Sequence, residues 1–457
     1  MRTLSARLLR LAWPVALSRL GIMGMGLCDA IVVGQMAPHE LPHQALGWSP
    51  TAVFLVSAIG LLTGVQVLAA RALGAGDAPA AGAAFTRGLV VAAVSGVVAT
   101  ACLWACGSRL FELFGIEAAL AEPSGRIMRV FAFSVPLHLI YVASAFFVEA
   151  TQRPIAGMFV MAGANVVNLV LNLLWVPEHG AIGSAWATCG ARAFLALSLT
   201  LWVLLQKDSQ RFAFFRRSRS GSTVGYREFL RVGFAAALSQ AAEAGAFSGM
   251  TIIAGRAGAD SVATYQILLN VLAVVFMLAL GLASATSVLT SEAIGRGSIR
   301  DAGRASWAGL ALNTACMLII GALLMSFPNL IASAYTADLR VVGLVAGLMP
   351  LLAACVVFDG GQAITAAALR SHRDNWFPTA SHVLAYAIVM PILAIVLAEL
   401  RGLGTAGLLH AIVWASVLSV GVLTSRLYVL TRRSHERPAR RTSGVGATVA
   451  PSDAPGA

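Results

Sequence analysis

This sequence is short of charge: 11% of its 457 residues are charged, against 58% that are hydrophobic. A soluble domain carries about 25% charged residues, and a soluble fold of this length would need that polar surface. Acid is the scarcer sign, with 20 Asp and Glu against 32 Lys and Arg. The net charge of +12 does not point to nucleic acid, because the basic residues fall in the breaks between apolar runs instead of forming a stripe. The six cysteines (Cys28, Cys102, Cys106, Cys189, Cys316 and Cys355) all lie inside apolar segments and make no CxxC pair. That excludes a disulfide framework and a metal knuckle and leaves them as small packing residues. A P-loop, a metal-ligand cluster and a nucleophile elbow are also missing, so ATP-driven transport and covalent catalysis have no local support. The chain is read as no enzyme, with no cofactor and no resident metal.

What the sequence does have is long apolar runs, such as Leu89–Trp104, Ala193–Leu205 and Leu268–Ala285. About 20 helical residues cross a hydrocarbon core of about 30 Å, and nothing else absorbs so many runs in one chain. Arg2, Arg7 and Arg10 before an apolar stretch imitate a signal peptide. The stretch continues to about Met36 without a small-residue cleavage site, so it is read as a retained first helix. Breaks at Gly, Pro and charge clusters predict an all-α polytopic membrane protein of twelve transmembrane helices. The first six span 8–36, 46–70, 88–108, 127–150, 155–176 and 182–206; the second six span 229–255, 262–291, 305–327, 341–368, 376–398 and 404–430.

Charge placement orients these helices. With both termini cytoplasmic, 24 of the 32 basic residues fall on the inner side and six (Arg109, Arg126, Arg129, Arg256, Arg340 and Arg401) on the outer side. Arg19 and Arg192 fall within helices. Such a bias, sustained over eleven alternations, is the positive-inside pattern of a multi-pass inner-membrane protein.

An offset of 221 residues aligns Ala16-Leu17-Ser18 with Ala237-Leu238-Ser239, and Gly34, Gly60, Gly74, Gly76 and Gly82 with Gly255, Gly281, Gly295, Gly297 and Gly303. The expected organisation is an N-lobe (1–206), a basic cytoplasmic linker (207–228), a C-lobe (229–430) and a disordered cytoplasmic tail (431–457). Six helices per lobe make a parallel repeat enclosing a central cleft.

Ionisable residues inside such helices are the informative ones, each costing about 2.5–3.5 kcal/mol at a helix centre on insertion scales. Asp29, Glu243 and Asp359 stand out. Either they are locked to arginine as structural glue, for which only Arg19 and Arg192 are available within helices, or they bind a coupling cation such as sodium or exchange protons. The second reading is adopted. Asn165, Asn168 and Asn172 share one helical face, with a role in transport or as interhelical glue. Glu149, Asp77 and Glu292 are read as interfacial, and His138, His382 and His410 as packing or hydrogen-bonding residues.

At these residues the chain resembles the multidrug and toxic compound extrusion (MATE) family. The run Gly26–Gly34 (GLCDAIVVG) is similar to the family's first-helix signature, and Asn168 with Asn172 to its helix-5 pair. Asn172 stands where the proton-coupled branch often has aspartate. The run Ala237–Glu243 (ALSQAAE) resembles the helix-7 segment that carries the family's glutamate. Gln266–Asn270 (QILLN) looks like the helix-8 motif, and Phe358–Gln362 (FDGGQ), continuing to Arg370, like helix 10 with its acidic residue.

The resemblance covers about residues 8–430. It implies an alternating-access antiporter of the bacterial multidrug-efflux branch that expels organic cations in exchange for sodium or protons. Glu243, Asp359 and Asp29 would serve coupling; Asn168, Asn172, Gln266, Asn270 and Gln362 would line the polar site. The partners are then small organic cations and the bilayer, and the chain is expected to act as a monomer. The alternative is a lipid-linked oligosaccharide flippase of the same superfamily. Such flippases often line the cavity with several cationic residues, where this sequence offers acidic ones. A membrane receptor or scaffold has no appended domain to support it.

Overall fold

A computed structural model describes residues 2–113, 115–215, 225–256 and 258–436. Helices make up nearly all of it, with no strand among the described residues. The composition dictates this outcome, because backbone placed in hydrocarbon must satisfy its own hydrogen bonds and a helix does so within one segment. The first half holds α1 (Arg2–Met36), α2 (Leu41–Gly74), α3 (Ala78–Cys106), the short α4 (Arg109–Leu113), α5 (Ala118–Ala150) and α6 (Ile155–Leu205). The second half begins with α7 (Tyr226–Arg256), α8 (Ala259–Gly295), α9 (Ile299–Ser326), the short α10 (Pro328–Ser333) and α11 (Leu339–Ser371). A rod follows in which α12 (Trp376–His382) and α13 (Met390–Ala394) are extended by wider π-helical turns at Val383–Val389 and Ile395–Leu400. The last helix is α14 (Gly404–Glu436).

Among the described residues, ten helical segments are long and apolar enough to cross a membrane. One of them, the 51-residue α6, is a hairpin. Drawn out straight it would be about 77 Å long, more than twice a hydrocarbon core of about 30 Å. Gly180 breaks it at φ 56°, a left-handed conformation that glycine enters without strain. Beyond the break the chain runs back along itself. A Cβ built on Gly163 would lie 3.2 Å from the Phe194 ring, although a continuous helix would hold these residues about 46 Å apart. Glu40 caps the returning segment, its carboxylate accepting a 2.6 Å hydrogen bond from Ala181 N. The 31-residue α7 is not among the ten; Arg227, Glu228, Arg231 and Glu243 lower its hydropathy.

Several boundaries differ from the sequence expectation. The helices α3 and α5 begin at Ala78 and Ala118 rather than at 88 and 127. Arg87 and Arg126 interrupt the apolar pattern but not the helix. Arg87 lies over the Tyr226 ring, and Arg126 pairs with Glu122 one turn away at 2.7 Å. The Asp77 carboxylate sets the start of α3 by accepting from Ala80 N at 2.9 Å.

Helix α14 runs to Glu436. Residues 431–436 of the expected disordered tail are therefore helical, and 437–457 lie outside the described residues. The expected linker opens with a short 3-10 turn, Ser209–Phe212, and closes inside α7; 216–224 lie outside the described residues. Its first turn is pinned to the first half, where buried Phe212 packs edge-on to Phe147 and stacks with Phe214.

Each half has its own apolar core, one around Phe85, Leu139, Phe147 and Leu199, the other around Tyr265, Val345, Leu352 and Tyr386. The halves meet where repeat-related residues exchange partners. Gly60 of α2 faces α7, and a Cβ there would lie 2.6 Å from Ala237 Cα. Gly281 of α8 faces α1, and a Cβ there would lie 2.9 Å from Ala16 Cβ. Farther along, Gly74 abuts the Glu292 carbonyl and Gly295 the Arg71 carbonyl. In both cases the second contact is the first shifted by 221 residues in each partner. Small residues at these crossings let the backbones approach closely.

Ion pairs sort onto two ends. Arg71–Glu228, Arg153–Asp208 and Arg426–Asp374 join segments expected inside, and Arg256–Glu399 and Arg340–Asp260 join segments expected outside.

Candidate functional site

Glu243 and Asp359 meet in the second half, carried by α7 and α11. Asp359 and Gln362 lie three residues apart on one face of α11. The Gln362 amide donates both to Glu243 Oε1 at 3.4 Å and to Asp359 Oδ1 at 3.3 Å. One NH2 group therefore bridges two carboxylates. The Tyr386 hydroxyl, on the π-helical stretch, donates to Asp359 Oδ1 at 3.2 Å and lies 3.1 Å from the Ser416 hydroxyl of α14.

On the other side of Glu243, His382 Nδ1 stands 4.0 Å from Oε2 and 2.6 Å from the Ser239 hydroxyl. The buried Gln362 Oε1 and His382 Nε2 have no partner among the described residues. No lysine or arginine comes within 4.0 Å of either carboxylate among the described residues. Arg370 of α11 acts on Glu243 and His382 through its charge from beyond that distance.

The first half holds Asp29 differently. Asn168 and Asn172, one turn apart on the outgoing arm of the α6 hairpin, both donate to Asp29 Oδ1, at 2.9 and 2.7 Å. Thr188, on the returning arm, donates to Oδ2 at 2.6 Å. Buried Arg192 lies near this cluster but donates to Ser134 at 2.7 Å and stacks over Trp48 at 4.9 Å. Three short bonds thus hold Asp29, whereas Glu243 accepts one long one.

The other expected residues are placed apart. Asn165 donates to its own helix at Met161 O and makes no bond to Asp29. Gln266 donates to Thr251 at 3.4 Å, and Asn270 to Gln266 O within α8; neither bonds the carboxylate pair. Glu149, expected at the interface, is instead buried: Gln66 and Ser284 donate to it, and Arg19 lies 3.7 Å away. His382, expected to pack or to hydrogen-bond, does the second with Ser239 and stands beside Glu243. Arg370, expected in an inner loop, is buried within α11, because that helix runs on to Ser371.

The MatE family model matches residues 14–174 and again 235–406, together most of the chain. The chain belongs to the MatE family. The two MatE matches begin 221 residues apart, the offset read from the glycines. A probable multidrug resistance protein NorM of Caulobacter vibrioides is 40% identical over 437 residues, covering 94% of this MatE chain and 92% of the relative. Multidrug resistance protein PmpM of Pseudomonas aeruginosa is 27% identical over 395 residues, covering 84% and 82%. An outward-facing structure of a multidrug resistance MATE family transporter of the MOP superfamily superposes with a TM-score of 0.86 at 20% identity, covering 94% and 97%. The eukaryotic MATE transporter AtDTX14 gives 0.85 at 18% identity, covering 95% and 99%. At those identities the likeness is one of fold.

The sequence marks Asp29, Glu243 and Asp359 as acids inside apolar helices and Asn168 and Asn172 by their helical spacing, and the resemblance adds Gln362. It does not mark Thr188, Tyr386, Ser416 or the cluster around Glu149, and it reads His382 apart from the carboxylates. A hydroxyl in an apolar helix carries no signal of its own. For Glu149 the signal was there, an acid ending an apolar run.

Proposed function

We propose that this MatE protein is a secondary active antiporter that exports cationic and amphipathic compounds in exchange for sodium ions or protons. The observation that carries the reading is the Glu243–Asp359 pair: a part-buried and a buried carboxylate share one amide donor, with no lysine or arginine in ion-pair range among the described residues and the His382 imidazole 4.0 Å from Glu243. Like charges so placed in a low dielectric repel, and one bound cation or one shared proton relieves them. A drug cation and a coupling ion then compete for the same electrostatic field, so each lowers the other's affinity by the same factor. Alternating exposure of that field to the two faces converts the competition into exchange. Asp29, already held by three donors, is assigned a supporting part in coupling. The multidrug resistance relatives support export as the direction.

The architecture proposed with it has twelve crossings. The ten apolar segments become eleven when the α6 hairpin is counted as two, and α7 supplies the last. Six crossings form each lobe, and both termini with the linker lie in the cytoplasm of a bacterial cell, in line with the charge bias. The protein is taken to work as a monomer. The flippase alternative is weaker, because Arg19 and Arg192 are engaged by Glu149, Ser134 and Trp48 rather than presented to an anionic substrate.

The deciding experiment is drug-driven ion flux in proteoliposomes, with a sodium gradient and a proton gradient tested separately, for wild type, Glu243→Gln and Asp359→Asn. Wild type is expected to couple dye export to one of the two gradients, and both variants to lose export at unchanged protein level. Full-rate, ion-dependent export by both variants would remove the pair from the mechanism. No dye transport by wild type, with a polysaccharide defect on gene deletion, would favour the flippase.

A further inference from the structure

At the end of the molecule where Gly74 and Gly295 cross, a cleft of about 1130 Å³ opens between the start of α1, the end of α8, the start of α9 and the last turns of α14. Its lining divides into two chemistries. Leu4, Leu289, Trp307, Ala308 and Ala311 form an apolar wall. Four guanidiniums, from Arg7, Arg296, Arg300 and Arg304, stand against a single acidic lining residue, Asp301. Glu292, just behind the lining, pairs with Arg7 and Arg296, and Asp301 pairs with Arg304. Arg300 is exposed and has no ion-pair or hydrogen-bond partner among the described residues. Four positive charges thus face two negative ones, with one guanidinium unengaged.

The wall also decides what kind of anion fits. It belongs to helices long and apolar enough to cross a membrane, and α9 starts its span at this rim. A soluble anion has no use for an adjoining apolar wall, whereas a phospholipid places a phosphate at the rim and a chain along the wall at once. Basic clefts between membrane helices on the cytoplasmic side suit anionic headgroups in this way.

We propose that this cleft is a binding site for an anionic phospholipid of the adjacent leaflet, its phosphate held by Arg300, Arg304 and Arg296 and an acyl chain lying along Leu289, Ala308 and Ala311. The site lies on the seam between the halves. Arg7 reaches Gln152 of the first half at 3.3 Å and Glu292 of the second at 3.5 Å. A phosphate that draws Arg7 and Arg296 from Glu292 changes how tightly this end of the seam is held. Transport is thereby made responsive to the lipid composition of that leaflet.

The test is thermal unfolding of the purified full-length chain in detergent, titrated with phosphatidylglycerol, phosphatidylcholine or glycerol 3-phosphate. The variants are Arg300→Gln/Arg304→Gln and Ala311→Phe, with Arg340→Gln/Arg401→Gln as a charge-matched control at the opposite end. Phosphatidylglycerol is expected to raise the midpoint saturably for wild type and control. Phosphatidylcholine and glycerol 3-phosphate should leave it unmoved. The arginine variant should need at least tenfold more phosphatidylglycerol, and Ala311→Phe, which keeps every charge, should also bind it more weakly. An unchanged phosphatidylglycerol response in both variants would overturn the proposal. So would a response to phosphatidylcholine equal to that for phosphatidylglycerol. Glycerol 3-phosphate acting as well as the lipid would replace it with a site for soluble anions.

Discussion

Ser284 of α8 donates a 2.7 Å hydrogen bond to Glu149 of α5, tying the second half of the chain to the first. Gln66 of α2 donates to the same oxygen at 2.5 Å. Arg19 of α1 stands 3.7 Å from the other oxygen, with side-chain exposures of 14% and 8% for the pair. Removing one partner of such a pair leaves the other charge buried and uncompensated, at a cost of about 3–5 kcal/mol. Glu149→Gln is therefore expected to lower the thermal midpoint markedly, and adding Arg19→Met to recover much of the loss. The double-mutant cycle, read by unfolding in detergent, isolates the pair's coupling. A Glu149→Gln protein as stable as wild type would mean that water screens Arg19.

Asp29 should behave differently from the second-half pair. Asn168, Asn172 and Thr188 donate to it at 2.6–2.9 Å, so its charge is spent on protein donors. Asp29→Asn is expected to slow dye efflux several-fold while leaving it measurable, whereas Glu243→Gln and Asp359→Asn bring efflux to background. Thr188→Val should act in the same direction as Asp29→Asn, and more weakly. Side-by-side efflux assays at matched membrane levels check the order. Complete loss in Asp29→Asn with little loss in Glu243→Gln would transfer coupling to the first half.

The pattern of what was legible has a physical cause. Asp29, Glu243 and Asp359 were visible because a carboxyl in an apolar run is costly wherever the run sits, so the sequence alone marks it. Asn168 and Asn172 followed from helical spacing. Glu149 carries the same mark, but it falls at the end of its run, and what buries it is α8 of the other half, which no local pattern reports. Thr188 reaches Asp29 only because the chain turns at Gly180 and comes back. Arg370 looked like a loop residue because hydropathy fades before the helix does. The short helices α4 and α10 were missed because they carry too few residues to show a period.

His372, just beyond the end of α11 and outside the candidate span, offers a test by pH. Its Nε2 lies 3.2 Å from the Ser306 hydroxyl. Burial, and secondly the charge of Arg71, push its pKa down to about 4. The unfolded chain takes up this proton near pH 6.5, before the folded protein does. Stability from this group is therefore full above about pH 6.5 and declines as pH falls towards about 4. The thermal midpoint of wild type should fall across that window, and that of His372→Gln should fall less. Parallel slopes would show that other groups govern the decline.

His382, expected to pack or to hydrogen-bond, does the second. A ring held by packing alone would tolerate any ring of similar size. Its surroundings are instead polar: Ser239 at 2.6 Å, Glu243 at 4.0 Å, and Tyr386 edge-on with ring centres 5.7 Å apart. Through Tyr386 it borders Asp359, so the imidazole completes a ring of side chains around both carboxylates. His382→Phe keeps the volume but leaves the Ser239 hydroxyl without its partner and sets an apolar ring against Glu243. His382→Gln keeps a donor and an acceptor at similar reach. The expected result is that His382→Phe folds but loses most ion-coupled efflux, while His382→Gln retains a substantial fraction with an altered pH profile. Efflux rates across pH 6–8, beside thermal midpoints for each variant, separate a polar role from a steric one. If His382→Phe exports at the wild-type rate with an unchanged pH profile, the ring is packing and Glu243 works without it.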